Sequence, residues 1–124
     1  MISDTEYEKL KEIAWQESED YLNKNGYFFS DSSYTDVDLI MFEELIWKAA
    51  RDYTQGNLSS QTFNVICSDY EGNPVYYNLS DPARDLIYNG LNLDYYKYIQ
   101  PDEEKLLEIN NNIKKLVIFY FGKL

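Results

Sequence analysis

Thr62-Phe-Asn-Val-Ile-Cys-Ser-Asp-Tyr-Glu-Gly-Asn-Pro-Val-Tyr-Tyr-Asn-Leu79 is the stretch whose reading sets the fold class of this chain. Phe63, Val65 and Cys67 alternate with Asn64 and Ile66, the two-residue period of a half-buried strand. Asp69 to Pro74 is dense in turn formers, and Gly72 can take positive φ. Val75 to Leu79 then reads as the returning strand. The spacing therefore predicts a β-hairpin over 62–79, with Cys67 as a small core residue on its apolar side. Two strands alone are marginal in water, so the hairpin must pack on helices or pair with another strand. The adjacent Tyr76 and Tyr77 would point to opposite faces, one of them toward solvent or a partner.

Upstream of the hairpin, Asp36 to Tyr53 carries Leu39, Phe42, Ile46, Ala49, Ala50 and Tyr53 on one helical face. Thr35 with Asp38 three residues on makes a capping box at its start. Ile40, Met41, Leu45 and Trp47 lie off that stripe, so more than one side is expected to be covered. This marks 36–54 as the central helix. Ser3 with Glu6 opens a first helix over about 4–24, striped by Tyr7, Leu10, Ala14 and Tyr21 and stopped at Asn25-Gly26. Asp81-Pro82 starts a short helix ending at Gly90. The segment 91–100 fits either a helical turn or an extended run. Pro101 followed by Asp102, Glu103 and Glu104 opens a last helix, striped by Leu106, Ile109, Ile113, Leu116, Val117 and Tyr120. Its end, Leu-Val-Ile-Phe-Tyr-Phe over 116–121, has strong β-propensity, so a terminal strand is the alternative there. The expected architecture is α+β: a single domain over 1–124, about four helices around a central helix, and one β-hairpin.

A hydrophobic fraction of 44% and 17% aromatic content exclude a disordered chain. The first residues carry no basic-then-apolar leader, and no apolar run is long enough to span a bilayer, which sets the expectation of a cytoplasmic protein. With no histidine and one cysteine, the commonest general base and nucleophile pairings are missing. No phosphate-cradling glycine loop occurs. Asp31, Ser33, Thr35, Asp36 and Asp38 superficially suggest a calcium loop, but a loop counted from Asp31 needs glycine sixth and glutamate twelfth, and holds Asp36 and Phe42. No cofactor, metal or catalytic residue is expected.

Two numbers stand out: a net charge of −11 and 13 tyrosines. The acidic field repels nucleic acid and anionic membranes and attracts cationic proteins. Tyrosine supplies large contact area at low entropy cost, the chemistry of interfaces. Local acid and aromatic density marks two candidate partner-binding clusters. One is Glu12, Glu17, Glu19 and Asp20 in the first helix; the other is Asp94, Tyr95, Tyr96 and Tyr98. In size, charge and aromatic content the chain is similar to the small acidic immunity proteins of interbacterial toxin systems, although no motif carries the likeness. That similarity implies a non-enzymatic inhibitor of a cationic toxin, a nuclease in the first place, whose basic phosphate site it would occlude. The alternatives are a phage or plasmid anti-defence protein mimicking DNA, and a structural or regulatory subunit, for which a homodimer through the hairpin edge or the 116–121 end is a further option.

Overall fold

The structure, a computed structural model, describes residues 2–26 and 35–122. Tyr27, Phe28 and Phe29, and the first four positions (31–34) of the rejected calcium loop, lie outside the described residues. The described chain forms five helices: α1 (Asp4–Lys24), α2 (Asp36–Thr54), α3 (Ser60–Glu71), α4 (Asp81–Leu91) and α5 (Glu103–Phe121). A 3-10 turn (Pro74–Asn78) links α3 to α4, and a wide π-type turn (Tyr95–Ile99) links α4 to α5. No strand occurs among the described residues, so the expected α+β fold with a hairpin over 62–79 is overturned: the fold is all-α.

The reason lies in α3. Residues 62–67 are all buried, and at about 100° per residue the five steps from 62 to 67 turn through about 500°, more than a full circumference. The segment does carry a helical stripe: Phe63, Ile66, Cys67 and Tyr70, at i, i+3, i+4 and i+7, are all fully buried. Within 62–67 alone, the alternation of Phe63, Val65 and Cys67 with Asn64 and Ile66 imitates a strand and hides that longer period. Helix burial also overrides the weak preferences of Thr62, Val65 and Ile66. Their intrinsic cost in a helix is at most about 0.7 kcal/mol each, against about 1.5–3 kcal/mol for burying a side chain such as Phe63 or Ile66. Ser59 starts the helix, its Oγ accepting from Thr62 N–H at 3.2 Å. The turn-forming tract falls at its far end: Gly72 caps α3, and the Asn73 side chain accepts from Val75 N–H to begin the 3-10 turn. Tyr76 and Tyr77 sit on that turn, half-buried and 75% exposed respectively.

The hub therefore shifts from α2 to α3, which packs against α1, α2, α4 and the 3-10 turn. The α2 helix packs against α3, α4 and α5. Its boundaries match the expected 36–54, and the Thr35–Asp38 capping box forms in both directions. Leu45 and Trp47 are buried as expected of a helix covered on two sides, while Ile40 and Met41 are more than half exposed. Phe42 stacks on Tyr70 of α3 at 4.0 Å, and the Tyr70 hydroxyl donates to the Phe42 carbonyl at 2.8 Å. Tyr53 stacks on Phe63 at 5.2 Å. Cys67 is fully buried, and burial pushes its thiol well above the usual range, so it packs as a small apolar residue.

The expected limits of α1 hold, with Ser3 accepting from Glu6 N–H. At α4 the cap is Ser80 rather than Asp81, and Gly90 lies inside the helix instead of ending it. A Cβ there would overlap Cys67 Sγ and come within 3.0 Å of Phe63, so Gly90 lets α4 cross close over α3. The C-terminal segment is helical through Phe121 and closes at Gly122 with φ 81°, which excludes the terminal strand.

Candidate functional site

The two clusters expected from the sequence differ in what the fold does with them. Asp94 is an interior group, 3% exposed. Its Oδ2 accepts from Lys11 Nζ and from the Tyr7 hydroxyl, both at 3.2 Å. Lys11 also donates to Asn64 Oδ1 at 2.9 Å, and the Asn64 amide donates to the carbonyls of Gly90 and Leu91. Four side chains thus tie α1, α3 and the end of α4 together, and burial with the Asp94 carboxylate pushes the Tyr7 hydroxyl up to about 12. Asp94 spends its charge inside the molecule.

The tyrosines beside it are divided. Tyr98 is half-buried, in edge contact with Tyr7 at 5.6 Å and hydrogen-bonded to Gln61. Tyr96 is half-buried beside Tyr95, and Tyr95, 39% exposed, donates to Gln100 Oε1 at 2.6 Å. On α1, Glu12, Glu19 and Asp20 are exposed on the side away from the core. Glu17 stands at the flank, where its Oε2 accepts from the Thr62 hydroxyl at 2.7 Å. Glu19 adds to the burial that pushes the half-buried Asp69 of α3 above the usual carboxylate range. The two clusters are joined indirectly: Tyr7 and Lys11 of α1 reach Asp94, and on α3 Thr62 holds Glu17 while its neighbour Gln61 bonds to Tyr98. Glu17 lies ten residues beyond Tyr7, about 15 Å along the helix.

A third surface, not singled out by local composition, collects what the other two separate. The C-terminal half of α5 presents Phe119, 70% exposed, with Leu116 and Tyr120 flanking it one turn apart. On one side Leu116 and Phe119 form a groove of about 430 Å³ with Asp81, Pro82 and Asp85 of α4. On the other, Tyr120 forms a groove of about 210 Å³ with Leu39, Ile40, Glu43 and Glu44 of α2 and Asn78. The grooves are joined where Glu43 clamps the start of α4: its two carboxylate oxygens accept from Ser80 N–H at 2.7 Å and Ser80 Oγ–H at 2.9 Å. Tyr120 is fixed by stacking on buried Trp47 at 4.6 Å, nearly parallel. Burial, then the charges of Glu44 and Glu43, raise its hydroxyl above the ordinary tyrosine range.

The result is an aromatic strip between two pairs of carboxylates. Asp81 is paired with Arg84, whereas Glu43, Glu44 and Asp85 have no ion pair among the described residues. A signal for this surface was present in the sequence. Ile118 and Phe119 are apolar residues off the buried stripe of α5, and such residues on a helix must face solvent or a partner.

Among the described residues no group of three or more His, Cys, Asp or Glu is placed to hold a metal ion, and no helix is long and apolar enough to cross a membrane. Comparison with protein-family models, curated proteins and solved structures finds no match to this chain.

Proposed function

We propose that this protein is a non-enzymatic inhibitor that acts in the cytoplasm by binding a cationic protein, in the manner of an immunity protein that neutralises a bacterial nuclease toxin. The observation that carries the reading is the meeting, on the face shared by α2, α4 and α5, of carboxylates without an ion pair among the described residues and exposed aromatics: Glu43, Glu44 and Asp85 around Phe119 and Tyr120. A nuclease must be basic where it holds phosphate. An acidic protein is steered to such a site by long-range attraction, and rigid aromatic side chains then anchor it by desolvated contact. The net charge of −11 supplies the steering, and helices fixed by a shared core supply the rigidity.

The test is to cross-link and purify the cationic protein that associates in the native host, and to titrate its activity with this protein. Loss of that activity at a 1:1 ratio, relieved by high salt, is the expected result. A captured partner that keeps full activity in the complex contradicts it.

A DNA-mimicking anti-defence protein is the second reading, favoured by the exposed row of Glu8, Glu12, Glu19 and Asp20 on α1. Displacement of the partner by duplex DNA would select it, since a mimic and DNA compete for one site. Lys9 and the half-exposed Trp15 interrupt that row, which fits an ordinary protein interface better than a phosphate-like array.

A further inference from the structure

We infer that the docking surface is the α2–α4–α5 face, and that its occupant is a protein segment presenting one large apolar side chain flanked by arginine or lysine. The inference rests on the reading of this chain as a binder of a cationic protein and adds the place and the chemistry of contact. The apolar element is the strip Leu116–Phe119–Tyr120, with Ile40 and Pro82 completing the two grooves. The charged element is the rim: Glu43 and Glu44 border one groove, Asp81 and Asp85 the other. An apolar anchor entering beside Phe119 would bring flanking cations onto carboxylates on both sides. Among the described residues, the cation ion-paired within this rim is Arg84, which neutralises Asp81 and leaves Glu43, Glu44 and Asp85 without an ion pair.

Charge decides between occupants. A second copy of this chain docking face to face by a two-fold axis would set Glu43, Glu44 and Asp85 against a rim of the same sign. An anionic lipid surface would be repelled in the same way. A basic segment gains Coulombic attraction and covers the strip. The outer face of α1 has acids and two exposed apolar residues, Ile13 and Trp15, and Glu17 there is held by Thr62 as Glu43 is held by Ser80. What separates the two faces is the aromatic strip of α5 set between two grooves.

The test uses the intact ¹⁵N-labelled protein and three synthetic peptides, followed by NMR amide shifts. The first carries a tryptophan flanked by arginines, the second replaces each arginine by glutamate, and the third replaces the tryptophan by serine. The expected result is binding of the first peptide alone, with shifts gathered at the start of α2, the first turns of α4 and the end of α5. Phe119→Ser should weaken it about tenfold or more, as for an interface anchor, and Glu44→Lys with Asp85→Lys should flatten its salt dependence. All three positions are exposed, so the variants keep the fold and the same thermal midpoint within a few degrees.

Shifts gathered on the outer face of α1 would overturn the assigned surface and leave the cationic-partner reading standing. Equal binding of the glutamate peptide, or no binding by the arginine peptide at any site, would overturn the surface and count against that reading as well. Concentration-dependent shifts on the α5 face without any peptide would overturn the occupant in favour of a second copy.

Discussion

Gly90 and Cys67 are a fitted pair, and the closeness of α3 and α4 depends on both. Ala at position 90 would gain about 1 kcal/mol of helix propensity, but it drives a methyl group into Cys67 Sγ and Phe63, an overpacking that costs about 1–3 kcal/mol. Gly90→Ala should therefore lower stability in urea denaturation, and adding Cys67→Ala should recover part of the loss. Strict additivity of the two changes would show that the contact is not tight. Tyr7 gives a second test at this scale. Its hydroxyl titrates near 10.0 in the unfolded chain and at about 12 in the fold, so between those values the folded state holds a proton that the unfolded state loses. The stability tied to Tyr7 is thus complete below pH 10.0 and declines as pH rises through the window to about 12. Tyr7→Phe has no proton to lose, and its stability should fall less steeply over that range. An identical slope for both proteins would remove Tyr7 from the alkaline transition.

Among the elements, α3 is the one whose character the rest depends on. Its N-cap is a direct probe: Ser59→Ala removes the acceptor for Thr62 N–H and should cost about 0.5–2 kcal/mol, read by thermal melting of the helical circular dichroism signal. A strand over these residues would be indifferent to that change. The same element explains what the sequence could and could not disclose. Helices with one wet face, α1 and α2, were legible to the residue because their polar positions mark the period and their caps mark the ends. In α3 the contrast exists, with Phe63, Ile66, Cys67 and Tyr70 buried and Ser68 and Glu71 exposed, but it spans the whole helix, while the six-residue window 62–67 is buried throughout and shows the two-residue alternation instead. Gly90 misled in the opposite sense, a glycine kept for packing standing where a stop would be. For the site, sequence density pointed to Asp94 and its tyrosines, yet burial depends on tertiary packing that a local window does not contain. The acid-rimmed strip is assembled from α2, α4 and α5, so no single segment displays it; the off-stripe Ile118 and Phe119 are the sign of it that one segment carries.

At the scale of the whole molecule, 22 acids against 11 bases leave a surface with few internal partners for its charge. Among the described residues there are four ion pairs, and three of them join residues within a single helix. Such a charge is of little use to the fold, where it is self-repelling, and of direct use in finding an oppositely charged partner. The most direct test of this account is the association rate with the purified cationic partner as a function of ionic strength. Between about 0.01 M and 0.15 M salt the screening length shortens from about 30 Å to 8 Å, which removes long-range steering but leaves short contacts intact. The account predicts a steep fall in association rate over that range with a much smaller change in dissociation rate, and a flattened slope for Glu44→Lys with Asp85→Lys. An association rate indifferent to salt in the unmodified protein would contradict it.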